Sequence, residues 1–174
     1  MKKMISILIL SLLIAGVFTG CSTQTEPQKH TSSTTVTTMI GNPWSTWDSI
    51  EEAETAVGFE FGLPEVIAES YNAVTVRTMK NEMIEVVYRN EDVEVCVRKQ
   101  KGEGQDISGD YNQYETCTET NLDNDATLIE HTNSNNNAIK QLLSCNGYSW
   151  SLVAQDGYSG ISNLDFVNMI LEQK

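Results

Sequence analysis

IKQLLSCNGYSWSLVA, residues 139–154, is the stretch on which the fold turns. Ile139 to Cys145 and Tyr148 to Ala154 are both strand-like runs, and only Asn146-Gly147 separates them. Asn-Gly in that setting is the strongest short hairpin signal, because a type I′ turn needs positive φ at both central residues. A hairpin here makes the chain's core antiparallel and calls for further strands to pair with it.

Those strands lie upstream. Asn133 to Asn137 is a polar loop, and Ala126 to His131 precedes it as a short strand. Leu122 to Asp125 reads as a turn, and Tyr111 to Thr120, rich in Tyr and Thr, as a strand. Lys101 to Asp110 is a polar, glycine-containing loop. Before it, Val93, Val95 and Val97 alternate with Glu94, Cys96 and Arg98, the period of a strand with two unlike faces. Arg89-Asn90-Glu91-Asp92 is a turn; Met83 to Tyr88 is apolar on both faces; Ala73 to Met79 alternates through Val74 and Val76.

At both ends the period changes to that of a helix. Asp48 and Ser49 offer N-caps, each with a glutamate, Glu51 or Glu52, three residues on. Ile50, Ala53, Ala56 and Val57 share a face, and Gly58 supplies the terminating glycine. Glu51, Glu52 and Glu54 sit where the helix dipole favours anions. Past the hairpin, Gly157 and Gly160 close the last strand. Ser162 then caps a helix whose apolar face is Phe166, Val167, Ile170 and Leu171. The expected fold is α+β: an N-terminal helix, five or six mostly antiparallel strands, and a C-terminal helix packed on one face, in a single domain over residues 42–174.

The first forty residues read differently. Lys2 and Lys3 precede an almost unbroken apolar run from Met4 to Phe18. The run is roughly 15 residues against the ~20 that span a bilayer, so it reads as a signal sequence, residues 1–20, and not as a permanent span. Phe18-Thr19-Gly20-Cys21 resembles the bacterial lipobox, although the family usually has Leu where Phe18 stands. The resemblance implies cleavage between Gly20 and Cys21 and a diacylglyceryl group on the Cys21 thiol. Each buried methylene contributes about 0.8 kcal/mol, and two chains suffice for stable anchoring. Residues 21–41, rich in Ser, Thr and Gln, cannot bury enough surface to fold and read as a flexible tether. His30 falls in that tether.

Composition limits the partners. The 174-residue chain carries a net charge of -13, and loss of the signal makes it more acidic still. Nucleic acid, which wants basic patches, is excluded as a class of partner; electrostatic adhesion to anionic lipid is disfavoured too. The expected partners are the membrane through the lipid, and either an envelope protein or a small ligand. With four cysteines and Cys21 acylated, at most one internal disulfide remains. Cys96 and Cys117, both in strand-like segments, are its candidates; the other reading is three free thiols with Cys145.

The order from Ile50-Glu51-Glu52-Ala53 through Val57-Gly58-Phe59, Leu63-Pro64-Glu65 and Tyr71 to Trp150, Asp156-Gly157-Tyr158-Ser159 and a short helix is similar to an uncharacterised extracytoplasmic domain. That domain is common in clostridial and bacillar lipoproteins and in the outer parts of membrane-anchored regulators. The resemblance, over about residues 43–173, implies a fold and a location on the outer face of the cell membrane, and it carries no catalytic residues.

Chemistry-bearing motifs are sparse. His131 has no sequence-visible nucleophile beside it, and Cys145 next to Asn146-Gly147 reads as a half-buried turn residue. No Cys-x-x-Cys spacing points to zinc. Asp123-Asn124-Asp125 lacks the glycine and terminal glutamate of a calcium loop. Gly102 and Gly104 lead into no helix that would cradle phosphate. No catalytic residue, metal or cofactor is therefore expected. The aromatics Trp44, Trp47, Tyr148, Trp150 and Tyr158 are left as candidates to line a ligand groove. The functional expectation is a tethered binding or sensing module, ahead of a structural envelope component or a small envelope hydrolase.

Overall fold

The computed structural model describes residues 41–68, 70–91, 93–123, 125–133, 138–154 and 163–172. They form nine strands and two helices: β1 Trp44–Trp47, α1 Ile50–Val57, β2 Val66–Ile67, β3 Tyr71–Met79, β4 Met83–Asn90, β5 Val93–Lys101, β6 Thr116–Asn121, β7 Thr127–Thr132, β8 Ala138–Cys145, β9 Tyr148–Ala154 and α2 Asn163–Leu171.

All strand pairs are antiparallel, in the order β1-β3-β4-β5-β9-β8-β7-β6, with β2 pairing the other end of β3. Two meanders compose the sheet, β3 to β5 and β6 to β9. The segment between β5 and β6 carries the chain to the far edge, and β9 closes back on β5. The β8–β9 hairpin has the turn its sequence demands: Asn146 at φ 53° and Gly147 at φ 83°, with Cys145 opposite Tyr148.

The strand count of five or six is corrected to nine. Two of the additions, β1 and β2, are short pieces that exist by pairing along β3. The strand expected over Tyr111 to Thr120 begins only at Thr116. Ahead of it, Asp110 Oδ1 accepts from the Asn112 backbone N–H at 3.0 Å, a local turn that competes with extended backbone.

Alternation divides the sheet into two faces. Val76, Ile84, Val86, Tyr88, Val95, Val97, Leu152, Trp150, Leu143 and Leu128 share one face and form a single core. Helix α1 buries Ile50, Ala53 and Val57 in that core, and α2 adds Phe166, Val167 and Ile170. Both helices therefore cover the core face, not the C-terminal one alone.

Capping fixes α1. Ser49 Oγ accepts from Glu52 N at 3.2 Å, Glu52 reaches back to Asp48 N at 3.3 Å, and Gly58 at φ 73° donates its N–H to Glu54 O at 2.8 Å. The N-cap contributes about 1 kcal/mol. Glu54 then accepts from Phe61 N at 2.6 Å, which turns the chain back so that Phe61 and Leu63 enter the core.

Candidate functional site

The second face of the sheet is crossed by the segment after β5. Gly102 N donates to Gly147 O at 2.8 Å, Gly104 N to Ser144 Oγ at 3.0 Å, and Gln105 N to Ser149 Oγ at 3.1 Å. These bonds stitch the segment onto the β8–β9 hairpin. Further on, Lys140 Nζ meets Asp106 Oδ2 at 3.2 Å and Asp110 O at 3.4 Å, and Tyr114 donates to Asp110 and lies 5.3 Å from the His131 ring. Burial works to raise the Asp106 pKa, but hydrogen bonds from the Ser108 hydroxyl and backbone, with Lys140, hold it below the usual range. His131 is lowered by burial and then by the Lys140 charge. These groups fasten the segment over β7 and β8.

Over β4 and β5 the same face stays open, and a cavity of about 790 Å³ lies there. Its floor is a row of charged side chains running across three strands. Arg77 of β3 stands opposite Glu85 of β4, and Glu85 stands opposite Arg98 of β5. Glu85 is 0 % exposed, and each of its carboxylate oxygens takes one guanidinium: Oε1 accepts from Arg77 Nε, Oε2 from Arg98 Nε at 2.7 Å. Neither arginine could be replaced by a hydrocarbon without leaving part of a buried charge unpaired.

The two arginines differ in what they have left. Arg98 also donates Nη1 to Ile107 O at 2.8 Å and is 16 % exposed. Arg77 is 35 % exposed, lies with Cζ 4.4 Å from the centre of the Trp44 ring, and among the described residues has no partner for its two terminal nitrogens. Val87, Cys96, Val153 and Ala154 supply the apolar part of the lining, and Asn112, Gln113, Tyr114 and Glu115 rise on one side from the segment before β6. Glu94, also in the lining, is paired with Arg89. Burial, and next the Glu85 carboxylate, push the Cys96 thiol up to about 12, so it is a neutral thiol at pH 7.

The expected aromatic groove is not one site. Trp44 faces the open cavity's arginines, whereas Trp47, three residues on, points to the core face and donates Nε1 to Thr78 Oγ1 at 2.9 Å. Residues three apart on a strand cannot share a face. Tyr148 and Trp150 are far along the sheet order on β9, on the core face, where they enclose Lys99. Lys99 Nζ lies 4.5 Å from each ring centre and donates to Glu60 O at 2.7 Å. That smaller cavity, about 340 Å³ with Gly58, Phe59 and Cys145 in its lining, is thus already furnished with a cation of the chain's own. Burial lowers the Lys99 pKa and raises that of Cys145. Tyr158 lies outside the described residues, as do Gly20, Cys21, residues 21–40 of the tether, Gly157, Gly160 and Ser162.

The Cys96–Cys117 disulfide is not formed: Cys96, Cys117 and Cys145 are free thiols. Cys96 lies on β5 and Cys117 on β6 at the sheet's end, with β9, β8 and β7 between their strands. Among the described residues no group of three or more His, Cys, Asp or Glu side chains is placed to hold a metal ion. None of Arg77, Glu85 or Arg98 stood out in the sequence. The signal that would have found Glu85 and Arg98 is their equal distance from the Asn90–Val93 turn, which sets opposite charges across a hairpin. No protein-family model, curated protein or solved structure matches the chain.

Proposed function

We propose that this chain is a lipid-tethered, extracytoplasmic binding module whose ligand site is the open cavity over Arg77, Glu85 and Arg98. The cavity carries the reading. Its volume lies within the range of small-ligand sites, about 300–1,000 Å³, and it joins an apolar lining to charged groups held in fixed positions. Core packing supplies no reason for that row: the core face is covered by α1 and α2, and the row lies on the other. Cys96, kept as the thiol, favours binding over thiol chemistry at the same place.

Residues Phe18-Thr19-Gly20-Cys21 support the anchor, and the Ser- and Thr-rich residues 21–41 support a tether that holds the domain off the membrane. The extracytoplasmic domain type rests on the order from Ile50-Glu51-Glu52-Ala53 through Leu63-Pro64-Glu65 and Tyr71 to Trp150 and Asp156-Gly157-Tyr158-Ser159, and the place on the outer face rests on that resemblance together with Phe18-Thr19-Gly20-Cys21.

Two measurements test the proposal. Cells fed an alkynyl fatty acid should label the native chain and not Cys21→Ser; equal labelling would remove the anchor. A fragment library titrated into the ¹⁵N-labelled protein should shift the amides of Val87, Cys96 and Val153 together. Shifts scattered over the surface, or none, would remove the binding site.

A further inference from the structure

On the reading that the open cavity binds a ligand, we infer that Arg77 is the residue that recognises it, and that the ligand is a peptide end or N-acylated amino acid with a free carboxylate. Arg77 is held on one edge and one face. Its Nε is committed to Glu85, and its Cζ lies over the Trp44 ring, 4.4 Å from the ring centre. Arg77 lines the cavity, and the two terminal nitrogens of its planar fork have no partner among the described residues. A guanidinium fixed in this way has little rotamer freedom left to lose on binding, and its fork matches the two oxygens of a carboxylate. Arg98 does not offer the same edge, because Ile107 O takes one of its terminal nitrogens.

The surroundings select the kind of anion. Glu85, Glu94 and Glu115 line the cavity with Arg77 and Arg98, and Arg89 pairs Glu94 from outside the lining, so the acids are matched and no surplus of cations faces the cavity. A dianionic phosphate finds only the free edge of Arg77 to balance two charges, with Glu115 close by, whereas a single carboxylate on an otherwise neutral ligand is matched by that one edge. Beside Arg77 the floor turns apolar at Val87, Cys96 and Val153, which suits an aliphatic side chain. Asn112 and Gln113 on the facing segment present amide groups of the kind that pair with a peptide bond.

The test is a calorimetric titration of the purified full chain with N-acetyl-alanyl-leucine and with its C-terminal amide. The acid should bind at least about tenfold more tightly, the worth of one charge-assisted hydrogen bond. Arg77→Gln should abolish that preference. Arg77→Lys, which keeps a charge for Glu85 but not the fork, should reduce it while the core amide shifts stay in place. Inorganic phosphate should not displace the acid. Equal binding of acid and amide, a preference that survives Arg77→Gln, or displacement by phosphate would overturn the assignment while the cavity remains a binding site. Binding of neither form would overturn it as well, and the fragment shifts on Val87, Cys96 and Val153 would then show whether the site itself survives.

Discussion

Glu85 and Arg98 face each other across β4 and β5, and Arg98 Nε donates to Glu85 Oε2 at 2.7 Å in a place where the carboxylate has no solvent contact. With Arg77 on the other oxygen, one buried anion organises two cations from neighbouring strands. The arrangement explains how a net-acidic protein keeps positive groups fixed on an open sheet face.

Replacing the anion should therefore be costly. Glu85→Gln keeps the shape but leaves two guanidiniums around a neutral amide. Breaking a buried pair typically costs 3–5 kcal/mol, and the partial exposure of Arg77 puts this case near the low end, about 3 kcal/mol. A fall in the urea midpoint matching that loss at pH 7, with unchanged slope, is the expected result. A change below about 0.5 kcal/mol would mean that the row is solvated and not a fixed floor.

Ser151 adjoins the same row, opposite Arg98, and behaves in the opposite sense. Its hydroxyl is buried and is without a hydrogen-bond partner among the described residues; the residue is 1 % exposed. An unsatisfied buried hydroxyl costs about 1–3 kcal/mol, so Ser151→Ala should leave stability unchanged or raise it by about 1 kcal/mol. Thermal unfolding checks this. A clear loss of stability would show that the hydroxyl is satisfied after all.

The hairpin and α1 were legible because their signals are local: Asn146-Gly147 fixes its own turn, and Ser49, Glu52 and Gly58 their own helix ends. β1 was not legible. Trp-Ser-Thr-Trp is too short to show a period, and its extended state comes from pairing with Val76 to Met79, some thirty residues away. Lys99 misleads for a similar reason. It occupies a core-facing position after Val95 and Val97, and burial of a cation is tolerable there because the aromatic rings of β9, some fifty residues later in the chain, and the Glu60 carbonyl surround it. The cavity was invisible because its floor is assembled across strands and its side is built by residues 112–115, which the β-like composition of that stretch disguised.

Gly109 is a position where the backbone itself is constrained. It has φ 65°, and a Cβ built there would lie 2.3 Å from Arg98 Nη1, the nitrogen that donates to Ile107 O. Gly109→Ala should cost about 1–2 kcal/mol for the left-handed backbone alone. It should also displace the Arg98 guanidinium, because the clash falls on a group that is hydrogen-bonded on two sides. Chemical-shift changes at Ile107 and Glu85, together with the stability loss, are the expected signature. A loss without those shifts would confine the effect to the backbone.

The three thiols should separate by reactivity and by their effect on alkaline stability. Cys117 is exposed, Cys145 is 2 % exposed, and Cys96 lies half-buried in the cavity floor with its pKa pushed up to about 12. A disulfide reagent at pH 8 should modify Cys117 at once and the other two only slowly, since the thiolate is the reactive form. The sign of the stability effect follows from proton counting. Between about pH 9 and 12 the unfolded chain has lost the Cys96 proton and the folded chain has kept it. Stability present below pH 9 is thus lost as pH rises, by up to about 1.4 kcal/mol per pH unit. Cys96→Ala removes this contribution and leaves those of Tyr88, Tyr114 and Lys99 in place. The variant should therefore lose less stability than the native chain between pH 8.5 and 10.5, measured as the difference in urea midpoints. Parallel pH profiles for the two proteins would show that the thiol ionises as readily folded as unfolded, and would place it in water rather than beside Glu85.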